Sequence, residues 1–246
     1  MVTVVLIPAY NEEATIRDII IRLKKIDYLV PLVIDDYSSD KTVEISKKEG
    51  SIVIKHKKNK GKGEALITGF NFILKKLKKA EYVAILDADL QYMPEDIPKL
   101  IKPLKNKNAD YVTGYRNWMK IPFRHTLGNF IWRTCFNLLF GTNFKDTNCG
   151  FIAMNRNSMK ILIKGGYGGY IIENVMLVEA LNNNLKIKQI PVDVYYYEKR
   201  DIITGSRYVL GNLIFIIESG IRHRFGIELK LYEKIEKTKL IFTKGN

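Results

Sequence analysis

Short apolar runs alternate, along the first half of the chain, with segments whose apolar positions recur at helical spacing. Val2 to Pro8 is an apolar run of the kind buried on both faces of a sheet. Ile16, Ile19, Ile20, Leu23 and Ile26 follow at the spacing of one helix face. Leu29 to Ile34 repeats the strand pattern, a short helix is expected from Ser39 to Glu49, Ser51 to Ile54 is a third strand, and Gly63 to Leu77 is a longer helix. Tyr82 to Leu86 is the fourth strand, Glu95 to Leu104 a helix with Pro94 at its start, and Asp110 to Gly114 the fifth strand. This alternation predicts an α/β fold: a doubly wound, mostly parallel sheet with right-handed crossovers.

After Tyr115 the alternation breaks. Trp118 to Arg124 reads as a loop, and Leu127 to Phe140 as a helix that is apolar almost all round. Such a helix is either buried in a core or laid on a membrane interface. Core packing is the default, while Arg124, Arg133 and Lys145 around it keep the interfacial reading open. Gly150 to Met154 and Lys186 to Val194 are further strands, Tyr195 to Tyr197 extending the second toward Arg200. Ser206 to Phe225 is the final helix, followed by a basic tail.

The 246 residues carry a net charge of +14. That suggests a polyanionic partner, although most of the lysines fall on helix backs, where a solvated surface explains them equally well. The two cysteines, Cys135 and Cys149, have no zinc spacing and make no disulfide framework. The N-terminal run lacks a basic leader, so it reads as a strand and not a signal peptide. No stretch reaches the ~20 apolar residues of a membrane span; the closest, Val209 to Ile217, is interrupted by Asn212 and ended by Glu218. A soluble or peripheral protein is expected.

The chemistry concentrates at strand ends. The fourth strand closes on Asp87-Ala88-Asp89. Two carboxylates one residue apart repel each other unless a cation lies between them, and an oxygen-only pair suits a hard ion such as Mg²⁺ or Mn²⁺ that also takes phosphate oxygens. Taken alone, the pair reads better as helix-capping aspartates before Pro94-Glu95-Asp96. But the first strand ends in Pro8-Ala9-Tyr10-Asn11-Glu12, the second in Asp35-Asp36-Tyr37-Ser38-Ser39-Asp40, and the third leads into Asn59-Lys60-Gly61-Lys62-Gly63. In a parallel sheet these ends share one edge, where such folds bind ligands. Individually, Asn11 and Ser39 are expected to cap helices and the glycines to permit turns. Four coincident strand ends favour a site.

This set resembles the family 2 glycosyltransferases. Pro8 to Glu12 is similar to their opening motif, and Asp35 to Thr42 to their Asp-Asp-Gly-Ser-Thr-Asp-Gly-Thr segment, with Tyr37 and Lys41 standing where the family has glycine. Asn59 to Gly69 resembles Asn-x-Gly-Lys-Gly-x-Ala…Gly. Asp87 to Gln91 with Pro94-Glu95 is the strongest likeness, and it points to the dolichyl-phosphate mannose synthase and polyprenyl-phosphate branch. Gly114-Tyr115-Arg116, Asp146 with Cys149-Gly150-Phe151, and Arg200…Gly205-Ser206-Arg207 resemble that branch's later motifs. The likeness covers Val2 to Tyr208. It implies a GT-A nucleotide-sugar-binding domain over residues 1–208, with 209–246 as a membrane-proximal helix and basic tail.

The resemblance further implies a nucleotide-sugar donor held by Pro8, Tyr10, Glu12, Asp36, Lys62, Asp87, Ala88, Asp89, Gln91, Arg116, Arg124 and Arg207, with Glu12 and Asp36 on the base or ribose. A Mg²⁺ or Mn²⁺ ion on Asp89, with Asp87 and Gln91, would bridge the diphosphate. Asp89, Arg116, Arg200 and Glu173 are the residues expected to carry catalysis. The implied acceptor is a polyprenyl (dolichyl) phosphate, already largely ionised at neutral pH and in need of no strong base. A sugar-hydroxyl acceptor would need one, and Glu173 is the candidate, although a structural glutamate capping the Asn174 to Leu181 helix is as good a reading. His56, His125 and His223 show no pairing pattern and are assigned no chemistry. A sugar-nucleotide nucleotidyltransferase would carry a glycine-rich loop with Arg after the first strand, which Ala9 to Glu12 lacks; a nucleic-acid-binding protein would show a recognition helix, zinc site or aromatic platform. The expected location is the cytoplasmic face of the cell membrane, peripherally bound, with no nucleic-acid partner.

Overall fold

The computed structural model describes residues 2–116, 123–165, 171–195 and 202–229, with 123–127, 165 and 202–209 described in backbone only. Seven strands form one sheet: β1 (Val2–Ala9), β2 (Leu29–Asp35), β3 (Ile52–Lys55), β4 (Ala80–Ile85), β5 (Tyr111–Arg116), β6 (Ile152–Asn155) and β7 (Ile187–Val192). Their order is β3-β2-β1-β4-β6-β5-β7. All neighbours pair in parallel except β6, which runs antiparallel to both β4 and β5. The helices are α1 (Ile16–Lys24), α2 (Thr42–Lys48), α3 (Lys62–Lys76), α4 (Ile97–Lys105), α5 (Phe123–Phe140), α6 (Arg156–Leu162), α7 (Ile172–Asn182) and α8 (Ile202–Phe225).

Side chains of a buried strand alternate between two faces, and both faces here are covered. On one, Val4, Leu6, Leu32, Ile34, Val83 and Ile85 pack against Ala65, Leu66, Phe70 and Ile73 of α3, Trp132 and Phe136 of α5, Met176 of α7 and Ile216 of α8. On the other, Val5, Ile7, Val33, Ala84 and Val112 meet Ile16, Ile19, Ile20 and Leu23 of α1 and Ile97, Leu100, Ile101 and Leu104 of α4. The helix after β1 therefore lies on one face and the helix before β4 on the other. The crevice outside the carboxyl ends of β1 and β4 is the switch point at which α/β sheets bind ligands.

Most expected elements are present with shifted ends. The helix expected from Leu127 begins at Phe123, so Phe123 and Arg124 belong to it and not to a loop; the rest of that expected loop lies outside the described residues. The last helix begins at Ile202 and not Ser206, so residue 208/209, the expected boundary, falls inside it. The strand expected from Lys186 to Val194 ends at Val192, and its extension over Tyr196 and Tyr197 lies outside the described residues. Helix α6 was not foreseen. It starts directly from β6, where the Asn155 side chain accepts from Ser158 N at 2.8 Å as an N-cap. Arg156 then donates to the carbonyls of Leu74, Leu77 and Ala80, satisfying the C-terminal end of α3. Helices α5 and α8 pack on each other closely enough that a Cβ at Gly220 would stand 2.5 Å from Leu139 Cβ.

Candidate active site

An open cleft of about 200 Å³ lies at the switch point, lined by Pro8, Ala9, Tyr10, Glu12, Asp36, Lys62, Ala65, Asp87, Ala88 and Asp89. Eight of the residues singled out from the motifs thus meet in one place. Parallel pairing brings them there: Ala9 is opposite Asp35, Asp35 opposite Lys55, and Leu6 opposite Ile85.

Much of the motif chemistry holds loops to loops. Asn11 N donates to Ser38 Oγ and Ser39 N to Asn11 Oδ1, both at 2.9 Å. Glu12 N donates to Thr42 Oγ1 at 2.8 Å, Glu13 N to Asp40 Oδ2 at 3.0 Å, and Lys41 N to Glu13 Oε2 at 3.0 Å. Asn11 and Ser39, expected as helix caps, therefore cap nothing: the N-cap positions of α1 and α2 are Thr15 and Lys41, neither with a side-chain cap bond. The loops after β1, β2 and β4 each carry a non-glycine residue with positive φ: Asn11 (56°), Tyr37 (74°) and Leu90 (56°). Tyr37, standing where the family has glycine, takes the left-handed conformation that glycine would take. The Glu95 of the fourth motif serves the frame too, accepting from Arg22 Nε at 2.8 Å and Nη2 at 2.6 Å.

The side chains left facing the cleft are mutually charged. Lys62, the first residue of α3, places Nζ 2.6 Å from Asp87 Oδ1 and 2.8 Å from Glu173 Oε1. Burial works against its charge, but the Asp87 and Glu173 carboxylates outweigh burial and raise its pKa above the ordinary lysine value. Gly150 closes this corner: a Cβ there would lie 2.8 Å from Asp87 Oδ2, 3.2 Å from Lys62 Nζ and 3.4 Å from Glu173 Oε1. Glu173 sits in the first turn of α7, and its carboxylate goes to Lys62 and not to a helix cap. Glu12 is pushed above the usual carboxylate range, first by burial, then by the charges of Asp89 and Asp87, partly offset by Thr15. Thr15 Oγ1 also reaches Ala88 O at 2.5 Å, tying α1 to the Asp-Ala-Asp turn.

Asp36 is buried, accepting from Lys60 N at 2.8 Å and Gly61 N at 2.6 Å, with His56 Nδ1 at 2.7 Å from its Oδ1. His56, assigned no chemistry from sequence, is thus in contact with a cleft residue. Arg116 lies off the cleft lining. Its Nε and Nη2 meet Asp146 Oδ2 and Oδ1 at 2.6 and 3.0 Å, and Nη2 also meets Asn129 Oδ1 and Asn148 O at 3.3 Å. This buried bidentate pair occupies the Arg116 guanidinium, expected on the donor. Beside it, burial pushes the Cys149 thiol up to about 12, so it is an inert core group. Arg124 and Arg207 are described in backbone only, and Arg200 lies outside the described residues.

No group of three or more His, Cys, Asp or Glu among the described residues is placed to hold a metal. The donor set nevertheless fits a hard divalent ion that keeps most of its ligands from diphosphate oxygens. Burial first, and then the charge of Asp89, raises Glu12, and a cation would relieve the repulsion between the two carboxylates. Asp87 has the Lys62 ammonium at 2.6 Å, and it lines the cleft together with Asp89, where the two carboxylates would border such an ion. Gln91, expected as a third ligand, is not among the cleft residues; its N–H donates to Asp89 Oδ1 at 3.1 Å and so positions that carboxylate.

Residues 4–160 match the family model described as glycosyl transferase family 2. A UDP-N-acetylglucosamine–dolichyl-phosphate N-acetylglucosaminyltransferase of Methanococcus voltae is 31% identical over 235 residues, covering 85% of this chain and 92% of that protein. A dolichol-phosphate mannosyltransferase of Pyrococcus furiosus is 32% identical over 196 residues, covering 66% of this chain and 53% of that one. Among solved structures, glucosyl-3-phosphoglycerate synthase of Mycobacterium tuberculosis, in complex with Mn²⁺, UDP and glucosyl-3-phosphoglycerate, superposes with a TM-score of 0.73 at 21% identity, over 93% of this chain and 81% of that one. The seven-stranded α/β sheet is accordingly a GT-A fold. The family match over most of the sheet and the cleft, together with relatives above 30% identity along most of the chain, places this protein in glycosyl transferase family 2.

Proposed function

We propose that this glycosyltransferase moves a hexose from a nucleotide-diphosphate sugar, GDP-mannose or a UDP-hexose, to a polyprenyl (dolichyl) phosphate, with inversion. The observation that carries the reading is the engagement of Glu173. The carboxylate best placed to serve as a base is held by Lys62 at 2.8 Å, and Lys62 is shared with Asp87. A hydroxyl acceptor needs an available base; an ionised lipid phosphate does not. The names of the Methanococcus and Pyrococcus relatives support the same acceptor class.

In this reading Pro8, Tyr10, Glu12 and Asp36 line the nucleoside end of the cleft, and Lys62 with Asp87 borders the diphosphate. A Mg²⁺ or Mn²⁺ ion held by Asp89, with Asp87 beside it, would neutralise charge on the leaving nucleoside diphosphate. Arg200 and Arg207 supply the guanidinium groups for the acceptor phosphate, for which the planar fork is suited. A second reading, transfer to a sugar hydroxyl, is favoured by one observation: Glu173 lies in the same corner as Asp87, where a base would be required.

Membrane contact belongs to the proposal. No helix among the described residues is long and apolar enough to cross a membrane. Yet α5 exposes Phe130, Ile131 and Leu138, α8 exposes Leu210, Ile217 and Phe225, and Ile227 follows. Arg133, Arg222 and Arg224 flank this pair of helices, suiting it to the cytoplasmic, anionic face of a bilayer. Two experiments test the whole. Nucleotide sugars are screened for metal-dependent transfer to a polyprenyl phosphate; transfer only to sugar hydroxyls would replace the first reading by the second. Flotation with anionic liposomes should show binding that falls with salt and on Leu138→Ser; no binding at low salt would remove the membrane contact.

A further inference from the structure

His56 is buried at the end of β3, off the cleft lining, and makes two side-chain contacts: Nδ1 is 2.7 Å from Asp36 Oδ1, and Nε2 is 2.9 Å from Thr68 Oγ1 in α3. Its backbone N–H also donates to Asp35 O at 2.8 Å, so the ring's origin is fixed by the sheet. With Nδ1 carrying the proton, the ring donates to the carboxylate and accepts from the threonine hydroxyl, which sets its tautomer and plane. Asp36 in turn accepts from Lys60 N and Gly61 N. Gly61, with φ of 90°, is the residue from which α3 starts, and Lys62 is the next. One carboxylate therefore joins the end of β2, the turn after β3 and the start of the helix that presents Lys62, and the imidazole braces it from behind.

We propose that His56 is a positioning residue for donor binding. It fixes the Asp36 carboxylate so that the lone-pair direction left over from His56, Lys60 N and Gly61 N faces the nucleoside, and it acts on the reaction only through Asp36. A carboxylate has about four acceptor directions, and three are filled from the protein side. The inference rests on the reading of the cleft as a nucleotide-sugar site with Asp36 on the nucleoside.

The geometry separates two conservative replacements. The amide nitrogen of asparagine overlays the Nδ1 position of histidine, and that of glutamine overlays Nε2. His56→Asn keeps a side-chain donor on Asp36; His56→Gln presents its donor toward Thr68 and leaves Asp36 with its two backbone donors alone. Calorimetric titration with UDP and with GDP, each in the presence of Mn²⁺, is the measurement. His56→Gln and His56→Ala should bind the preferred nucleotide roughly ten- to hundredfold more weakly, the loss expected for a hydrogen bond to a charged group. His56→Asn should restore affinity to within about threefold of wild type, a rescue that a purely packing role would not produce. In turnover assays the loss should appear in KM for the donor, with kcat at saturation retained, because no reacting atom is touched. Thr68→Val leaves Asp36 braced and should weaken binding less than His56→Gln does, giving a second comparison should the alanine variant fold poorly. Equal affinity of wild type and His56→Gln, or failure of His56→Asn to recover affinity in a folded protein, overturns the proposal. Wild type binding neither nucleotide overturns the site reading itself and this inference with it.

Discussion

A single methyl group at Gly150 tests whether the Lys62–Asp87–Glu173 corner matters to the reaction. The Cβ of Gly150→Ala would stand 2.8 Å from Asp87 Oδ2. A relaxed carbon–oxygen contact is about 3.3 Å, so the carboxylate must retreat by roughly 0.5 Å or rotate. Its other oxygen is held by Lys62 Nζ at 2.6 Å, and Lys62 is held by Glu173 at 2.8 Å, so movement at Asp87 displaces the whole corner. Overpacking of this kind costs about 1–3 kcal/mol. At about 2–4 °C per kcal/mol for a chain of this size, Tm should fall by roughly 2–12 °C. Catalytic groups tolerate about 0.5 Å of displacement, and about 1 Å is worth on the order of a hundredfold in rate, so kcat should fall roughly ten- to hundredfold. Gly220→Ala supplies the matched control. Its Cβ would meet Leu139 Cβ at 2.5 Å where α5 crosses α8, away from the cleft. It should lower Tm by a similar amount and leave nucleotide affinity unchanged. The assays are thermal melting and steady-state transfer from the best donor. A Gly150→Ala enzyme with wild-type kcat would refute the reasoning whatever its Tm, because the corner would then be a structural ion pair only.

Asp89→Ala should abolish transfer, Asp87→Ala should be nearly as severe, and excess chelator should reproduce both; full activity in chelator would remove the metal from the proposal. Glu173→Gln keeps a hydrogen-bond partner for Lys62, so with a lipid phosphate acceptor it should be mild, while Arg200→Ala loses roughly ten- to hundredfold. If a hydroxyl is the acceptor, the order reverses, with Glu173→Gln down by ~10²–10⁴-fold and Arg200→Ala nearly normal. At Tyr37, half exposed with φ of 74°, Tyr37→Gly should leave stability unchanged or raise it by up to about 1 kcal/mol, and Tyr37→Val should lower it by about 1–2 kcal/mol, read as shifts in Tm; equal losses for both would mean that the loop does not depend on backbone conformation there.

The distribution of what the sequence revealed follows from the range of the interactions. Strand and helix existence is written locally: Val4 and Leu6 against Val5 and Ile7 already separate the two faces that become the two cores. Convergence of the strand ends was legible as well, since parallel pairing puts them on one edge whatever the loops do. The antiparallel β6 was not, because its insertion between β4 and β5 depends on pairings across 39 residues or more, such as Val112 with Ala153. The roles of the polar residues divide the same way. Asn11, Ser38, Ser39, Asp40 and Thr42 look like ligand chemistry in a linear motif, yet each bonds to a group of the facing loop. Conversely, His56 carried no motif, and the partner that makes it informative, Asp36, is 20 residues away. Lys62 and Glu173 are 111 residues apart, a distance at which no periodicity carries information. A motif therefore marks where a fold demands polar atoms. Whether the demand comes from a ligand or from the loop across the gap is decided by the partners the fold gives each polar atom, and the acidic groups that line this cleft are Glu12, Asp36, Asp87 and Asp89.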